Sequence, residues 1–152
     1  MMYFILMEDL PDRTPLGFGL AGARWNSNGI PMIYACNHIA LNYLELLAIK
    51  GSAVAKCNWF LATIEVLGDI PSLDPSSLPQ DWRMRPYPLS TQESGSLWAK
   101  RKTSPYLKVP SCRIPIAAYP KEHNLLINPL HPDFNNLVKF VKSEHANYEI
   151  NS

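Results

Sequence analysis

Short apolar runs separated by turn-forming residues dominate the chain and predict a strand-rich protein. Most of these runs are rich in β-branched or aromatic residues and end near glycine, proline, asparagine or aspartate, as strands bounded by turns do. The run 137–142 fits neither helical nor alternating spacing cleanly, and we favour a strand there too. Five prolines interrupt the segment 71–88, where we expect a long ordered surface loop instead. The predicted strands cover residues 1–7, 32–36, 58–66, 107–109, 112–117, 124–127 and 137–142.

Two segments carry the capping signals of helices. Asn37 is a candidate N-cap for a helix over 38–50, and Gly51 follows it where a C-cap glycine is common. A second helix is predicted over 91–102, after Ser90, with basic residues in its last turn. Because strands and helices do not alternate regularly, the pattern favours an α+β fold over a doubly wound one.

The first predicted helix carries a single acidic residue, Glu45. Its neighbours are apolar on nearly every face, so we expect the helix to be largely buried. Proteins keep a buried carboxylate where it is paired, hydrogen-bonded or catalytic, because an unpaired buried charge is costly. Glu45 is therefore a candidate functional residue, with a structural ion pair to Arg24 or Arg83 as the alternative.

The length and net charge of the chain limit the classes of protein to which it can belong. A chain of 152 residues suits one domain over 1–152, and 14 Lys and Arg against 13 Asp and Glu give a net charge of +1. That balance gives no support for binding nucleic acid or a membrane surface, and we predict neither. The three cysteines form no CxxC pair and the four histidines no i, i+4 pair, so we predict neither a disulfide framework nor a metal site. Reduced thiols, and an apolar N-terminal run too short to span a bilayer, favour a cytoplasmic protein.

Five segments stand in one collinear order across about residues 17–134. They read Gly-Ala-Arg-Trp-Asn-Ser-Asn-Gly-Ile-Pro-Met-Ile-Tyr at 22–34, Ala-Leu-Asn-Tyr-Leu-Glu at 40–45, Leu-Pro-Gln-Asp-Trp-Arg at 78–83, Val-Pro-Ser at 109–111, and Asn-Leu-Leu-Ile-Asn-Pro-Leu-His-Pro-Asp-Phe at 124–134. Together they resemble the RES domain family, the toxins of Xre–RES toxin–antitoxin pairs. The arginine, glutamate and serine that name the family fall here on Arg24, Glu45 and Ser111, and a further functional tyrosine falls on Tyr34.

The resemblance implies a bacterial toxin that destroys NAD, on an ADP-ribosyltransferase-like core of two packed, mostly antiparallel β-sheets flanked by helices. NAD is then the substrate, with no prosthetic group and no metal. Water, phosphate and a protein side chain remain open as acceptors of the ADP-ribose. The expected partner is a helix-turn-helix antitoxin of the Xre type, and a homodimer within that complex is an open alternative.

The resemblance also implies a role for each matched residue. Glu45 would stabilise the developing ribose cation or hold the ribose hydroxyls, and Arg24 would grip the pyrophosphate. Tyr34 would stack on nicotinamide or ribose, and Ser111 would hydrogen-bond the nicotinamide amide or the ribose.

Each role has a structural alternative. Arg24 could stack on a neighbouring tryptophan at the surface, Tyr34 could be a core aromatic residue, and Ser111 after a proline is typical of turns. A triad of Ser111 with His123 or His131 is disfavoured because no GxSxG sequence surrounds the serine. His131 is more consistent with fixing a loop, although its motif places it among residues that could border the pocket.

Departures from the family pattern fall mainly at the ends of the chain. Phe4 follows Tyr3 where the family has an arginine, and residues 145–152 lack the family's arginine-containing ending. Ala23 replaces a glycine and adds a methyl group where the backbone could approach a ligand. A catalytically weakened RES-fold binding module, acting in a toxin–antitoxin repressor complex, is therefore the alternative function.

Overall fold

The computed structural model describes residues 1–150, which form six strands and three α-helices in the predicted α+β arrangement. The strands are β1 Met2–Glu8, β2 Ile33–Cys36, β3 Trp59–Val66, β4 Tyr106–Val109, β5 Asn124–Ile127 and β6 Val138–His145. The helices are α1 Ile39–Lys50, α2 Leu89–Arg101 and the short α3 Phe134–Leu137. Short 3-10 turns lie at Gly51–Lys56, Pro75–Ser77 and Ile116–Ala118.

The described strands form one six-stranded sheet in the order β4-β5-β2-β1-β3-β6, and every neighbouring pair is antiparallel. The expectation of antiparallel pairing is confirmed, whereas the two packed sheets are replaced by one continuous sheet. The continuity comes from β1, which pairs with β3 along its whole length and with β2 through Phe4 opposite Cys36. The sheet therefore consists of two three-stranded halves joined at a narrow seam.

Alternate residues of the central strands face opposite sides of this sheet. Ile33 and Ala35 of β2 belong to the main core, together with residues of the other strands such as Tyr3 and Tyr106, which are fully buried. Tyr34, between them, belongs to a second cluster on the other side of the sheet. The candidate site lies on that second side.

Helix α1 is less buried than its apolar sequence suggests. Leu41 and Asn42 are its buried residues, whereas Leu44 is 43% exposed and Ile49 48% exposed. The expectation of a largely buried helix is therefore wrong, because α1 leans on β1 and β2 with one side and leaves the other uncovered.

Asn42 attaches α1 to the sheet beside the seam. Its amide nitrogen donates to the carbonyl of Phe4 at 3.0 Å, and its amide oxygen accepts from the backbone N–H of Leu6 at 3.3 Å. These are β1 backbone groups near the point where β2 stops pairing, and buried backbone groups need such partners.

The last described residues pack on α1. Tyr43 donates its hydroxyl proton to the carbonyl of Ala146 at 2.9 Å, and Tyr148 donates to the carbonyl of Tyr43 at 2.6 Å. The backbone N–H of Trp59 donates to the side chain of Asn147 at 2.7 Å. Residues 146–148 thus hold the helix from the side of β3.

Two local predictions are wrong. Asn37 does not cap α1: His38 occupies the N-cap position, and the Asn37 side chain instead bonds the backbone of residues 121 and 123. Residues 112–117 form turns rather than a strand, because Pro115 has no N–H and Arg83 takes up backbone carbonyls of this segment. The proline-rich segment 71–88 is a loop with one 3-10 turn, close to expectation.

No helix among residues 1–150 has the length and apolar character needed to cross a bilayer.

Candidate active site

Glu45 lies in the middle of α1, and three side chains hold its carboxylate. Oε1 accepts from Nε of Arg113 at 2.9 Å and from the hydroxyl of Ser111 at 3.3 Å. Oε2 accepts from the amide of Asn124 at 2.8 Å. A carboxylate oxygen can accept about two hydrogen bonds, so Oε1 is filled while Oε2 keeps an open acceptor position. The Glu45 side chain is 22% exposed and lines a cavity.

Ser111 takes part in a turn and also contacts the candidate site. Its hydroxyl oxygen accepts from the backbone N–H of Arg113 at 3.0 Å, which is turn chemistry, and its proton is directed to Glu45. The turn therefore sets the position of both donors to Oε1.

Arg24 is a buried cation, 8% exposed, and not a surface residue. Its Nη1 donates to the carbonyls of Trp82 at 2.7 Å and Met84 at 3.0 Å, and its guanidinium carbon lies 5.2 Å from the centre of the Tyr87 ring. Nη2 is buried and has no hydrogen-bond partner within residues 1–150. A buried N–H without an acceptor is costly, so an acceptor atom of a ligand that reached Nη2 would satisfy it.

Helix α2 fixes the backbone around Arg24. Gln92 donates from its amide to the carbonyl of Ala23 at 3.0 Å, and Ser96 accepts from the backbone N–H of Ser27 at 3.0 Å. Gly95 permits the contact, since a Cβ there would overlap the carbonyl of Trp25. The segment 23–27 thus lies directly on the helix.

The Tyr34 hydroxyl is hydrogen-bonded to the segment 23–27. It accepts from the backbone N–H of Trp25 at 3.1 Å and donates to the side chain of Asn26. Burial raises the pKa of Tyr34 above its ordinary value of 10, although the bond from Trp25 opposes the shift. The hydroxyl therefore stays protonated, and the ring is the part of Tyr34 that is free to meet a ligand.

Arg24, Tyr34 and Glu45 line one cavity of about 230 Å³. Ser111 is not among its lining residues and reaches the site through Glu45. An open cleft of about 750 Å³, lined partly by residues 10–14 and 17–19, shares Leu6 and Leu46 with the cavity. The structure thus places Arg24, Tyr34 and Glu45 around one cavity. Ser111, the fourth residue predicted from the sequence, is hydrogen-bonded to Glu45.

Sequence reasoning missed Arg113 and Asn124. The expected alternative partners of Glu45 were Arg24 and Arg83, but its ion pair is with Arg113. Asn124 opens β5, opposite Cys36 in the register, and it also accepts from the Cys36 thiol at 3.1 Å. The available signal was position: Arg113 follows the motif serine by two residues, and Asn124 begins the last motif segment.

Neither candidate histidine of a hydrolase triad contacts Ser111. His131 accepts from the backbone N–H of Asp133 and bonds the carbonyl of Lys102, so it fixes a loop, as one alternative anticipated, and it lies outside the 230 Å³ cavity. His123 is 2% exposed and bonds the hydroxyl of Tyr3 at 2.7 Å.

Fold and site together define an antiparallel α+β protein in which a carboxylate, two guanidinium groups and a phenol line one cavity. The guanidinium groups can donate to an anionic group, and the carboxylate can stabilise a positive one. The chain belongs to the RES domain family: a sequence model of that family matches residues 6–150.

Named relatives and a solved structure agree with this assignment. The Toxin Res of Yersinia enterocolitica is 32% identical over 145 residues, which are 93% of this chain and 92% of the relative. The Prs ADP-ribosylating toxin of a Sphingobium species is 35% identical over 126 residues, 80% of this chain and 75% of the relative. The crystal structure of the M. tuberculosis MbcT–MbcA toxin–antitoxin complex matches with a TM-score of 0.70 at 16% identity, covering 96% of this chain and 84% of that chain. At that identity the likeness shows a shared fold.

Proposed function

We propose that this protein is a bacterial toxin that degrades NAD by cleaving the bond between nicotinamide and ribose. The observation that carries the proposal is the convergence of Arg24, Tyr34 and Glu45 on one cavity. The toxin names of relatives at 32% and 35% identity support it.

The dimensions of the cleft suit a dinucleotide bound in two parts. Ligand pockets usually enclose about 300–1,000 Å³. The 230 Å³ cavity is therefore small for a whole dinucleotide, and the adjoining 750 Å³ cleft supplies the remaining room. In this proposal the nicotinamide riboside end enters the small cavity beside Glu45, and the adenosine end occupies the open cleft.

Cleavage requires stabilisation of a sugar cation. When the bond to nicotinamide breaks, its electron pair leaves with the nitrogen, nicotinamide departs neutral, and the ribose carbon becomes oxocarbenium-like. Oε2 of Glu45, with its open acceptor position, would face that charge or hold a ribose hydroxyl. Tyr34 would stack its ring on the departing base, and Arg24 would donate from Nη2 to the pyrophosphate. An incoming nucleophile then completes the transfer and loses its proton.

A helix-turn-helix antitoxin of the Xre type is the proposed partner. A protein that consumes NAD must be held inactive in the cell that makes it, and the structural neighbour was solved as a toxin–antitoxin complex. A homodimer within such a complex remains an open alternative.

Release of nicotinamide tests the function directly. The purified protein is incubated with NAD, with and without inorganic phosphate, and nicotinamide and the sugar product are quantified. We expect release of nicotinamide. Phosphate dependence would identify phosphorolysis, and independence would identify hydrolysis. No release under either condition, together with no transfer of label to a macromolecule in a cell extract, would favour the catalytically weakened binding module.

Transfer of ADP-ribose to a protein is a second candidate reaction. It is favoured by the relative at 35% identity that is named an ADP-ribosylating toxin. NAD labelled in its adenylate part, added to a cell extract with the purified protein, would place label on a macromolecule in this case. Label confined to small molecules would reject transfer.

A further inference from the structure

We infer that Arg113 and Arg24 together form an anion-binding subsite in the 230 Å³ cavity, where Arg113 binds the pyrophosphate of the substrate while it also anchors Glu45. The inference rests on the proposed function and deepens it, since the family resemblance gives the pyrophosphate contact to Arg24 and assigns no role to Arg113.

The Arg113 guanidinium has unused donors. Its Nε is bound to Oε1 of Glu45, whereas its two terminal nitrogens have no hydrogen-bond partner within residues 1–150. The side chain is 19% exposed and lines the 230 Å³ cavity. A guanidinium presents its N–H groups as a planar fork, so binding through Nε leaves the terminal pair free to grip a second group.

Arg24 supplies the matching half of the subsite. Its Nη2 is buried without a partner, and Arg24 lines the same cavity as Arg113. The charged residues of that lining are Arg24, Arg113 and Glu45, so the cavity carries one net positive charge. Two guanidinium groups with free N–H donors and a net positive charge define a site for an anion such as a pyrophosphate.

One short loop segment fixes both arginines. The carbonyls of Trp82 and Met84 accept from Arg24. Between them in sequence, Arg83 donates to the carbonyls of Cys112 and Ile114, the residues on either side of Arg113, at 3.1 and 3.3 Å. The segment 82–84 therefore sets the two guanidinium groups relative to each other before a ligand arrives, which lowers the entropic cost of binding.

This arrangement assigns Arg113 two contacts with different consequences. Loss of the contact to Glu45 would act on the chemical step, whereas loss of the contact to phosphate would act on binding of any ligand that carries the pyrophosphate. The two can be separated in a protein whose residue 45 no longer bears a charge.

The test compares Glu45→Gln with the double variant Glu45→Gln/Arg113→Gln, using calorimetric titration with ADP-ribose and with nicotinamide riboside. ADP-ribose carries the pyrophosphate and nicotinamide riboside carries no phosphate. We expect the double variant to bind ADP-ribose about tenfold to a hundredfold more weakly, the usual effect of losing hydrogen bonds to a charged group. Affinity for nicotinamide riboside should not fall, because this cation has no phosphate for Arg113 to bind.

Two matched controls complete the design. Arg101→Gln in the Glu45→Gln background removes the same charge at an exposed position of α2 outside the cavity, and should leave ADP-ribose binding unchanged. In the same background, Arg113→Lys keeps the charge but not the planar fork of N–H donors. Its affinity for ADP-ribose should lie between those of Glu45→Gln and Glu45→Gln/Arg113→Gln. Thermal melting of each variant confirms that it is folded.

Equal affinity of Glu45→Gln and the double variant for ADP-ribose would overturn the inference and leave Arg113 as a support for Glu45 alone. Failure of the wild-type protein to bind ADP-ribose and to release nicotinamide from NAD would be a different result, which rejects the proposed function itself.

Discussion

The two oxygens of the Glu45 carboxylate differ in their surroundings, and single substitutions should expose that difference. Oε1 is held by Arg113 and Ser111, while Oε2 has one protein donor, Asn124. The held oxygen orients the group and the other is free to act. The negative charge of the carboxylate is therefore the property to remove first.

Replacing Glu45 by Gln should lower the rate of nicotinamide release by a factor of roughly a hundred or more, because the amide cannot stabilise a cation with a full charge. The melting temperature should change little, since glutamine keeps nearly the same shape. Steady-state kinetics with NAD measures the loss, and Glu93→Gln on the exposed side of α2 is the control that should retain activity. Wild-type turnover by Glu45→Gln would remove Glu45 from the chemistry.

His123 should make the protein less stable in mild acid. Burial lowers the pKa of His123 to about 4 from its ordinary 6.5, with smaller repulsion from Lys108 and His38 and an opposing bond to the Pro120 carbonyl. Above pH 6.5 the residue is neutral in both the folded and the unfolded chain. Between about 6.5 and 4 the unfolded chain takes up the proton first, so the free energy of unfolding falls as the pH falls.

Urea denaturation at a series of pH values measures this effect. His123→Gln should show a flatter dependence on pH over that range than the wild-type protein. Equal slopes for the two proteins would show that His123 does not carry the pH dependence.

The sequence identified Arg24, Tyr34 and Glu45 because each stands in a recognisable motif. It did not identify the ion pair of Glu45 with Arg113, because residues 68 positions apart meet through a turn that local pattern does not describe. The catalytic and binding roles of Arg24, Tyr34 and Glu45 remain predictions, whereas their positions around the cavity are observed.

At the scale of elements, the contact between α2 and the segment 23–27 governs the position of Arg24. Gly95 lies against the backbone of Trp25, where no side chain fits. Helix propensity alone predicts that Gly→Ala inside a helix adds about 1 kcal/mol of stability. In this protein an alanine Cβ at position 95 would overlap the carbonyl of Trp25, so the substitution should destabilise the protein instead.

We expect Gly95→Ala to lower the free energy of unfolding by at least about 1–3 kcal/mol, the usual cost of overpacking, and to lower activity by moving Arg24. Ser94→Ala, at the exposed neighbouring position, is the control and should not destabilise the protein. Chemical denaturation measures both variants. A more stable Gly95→Ala protein would show that the helix and the segment separate easily.

Elements with strong local signals were predicted closely, and those decided by distant residues were not. The predicted strand over 124–127 coincides with β5, whose four residues are all buried. The predicted strand over 112–117 is absent because Pro115 has no N–H to pair and Arg83 binds backbone carbonyls of that segment. Likewise Asn37 bonds to the chain near residue 121 rather than to its own helix.

For the whole molecule, the α+β class followed from the order of elements, but the number of sheets did not. A single pairing of Phe4 with Cys36 decides between one sheet and two, and no local pattern encodes it. The exposed apolar side of α1 was also unexpected, since composition indicates apolar character and not which neighbours cover it.

An antitoxin should suppress the activity of the whole protein. We expect a cognate helix-turn-helix antitoxin to reduce nicotinamide release when it is added to the purified protein, because the proposed degradation of NAD would need a restraint in the cell. A titration of turnover against antitoxin measures the effect, with an unrelated helix-turn-helix protein as the control. Undiminished turnover at saturating antitoxin would contradict the proposed pairing.

The hydrogen bonds between residues 146–148 and Tyr43 have a genetic consequence. Tyr43 lies two positions before Glu45, so residues 146–148, which are distant from Glu45 in sequence, support the helix that carries it. Under the proposed function, we expect cells that survive forced expression to carry stop codons shortly before codon 146 repeatedly. Such survivors would carry every cleft residue intact and still be harmless.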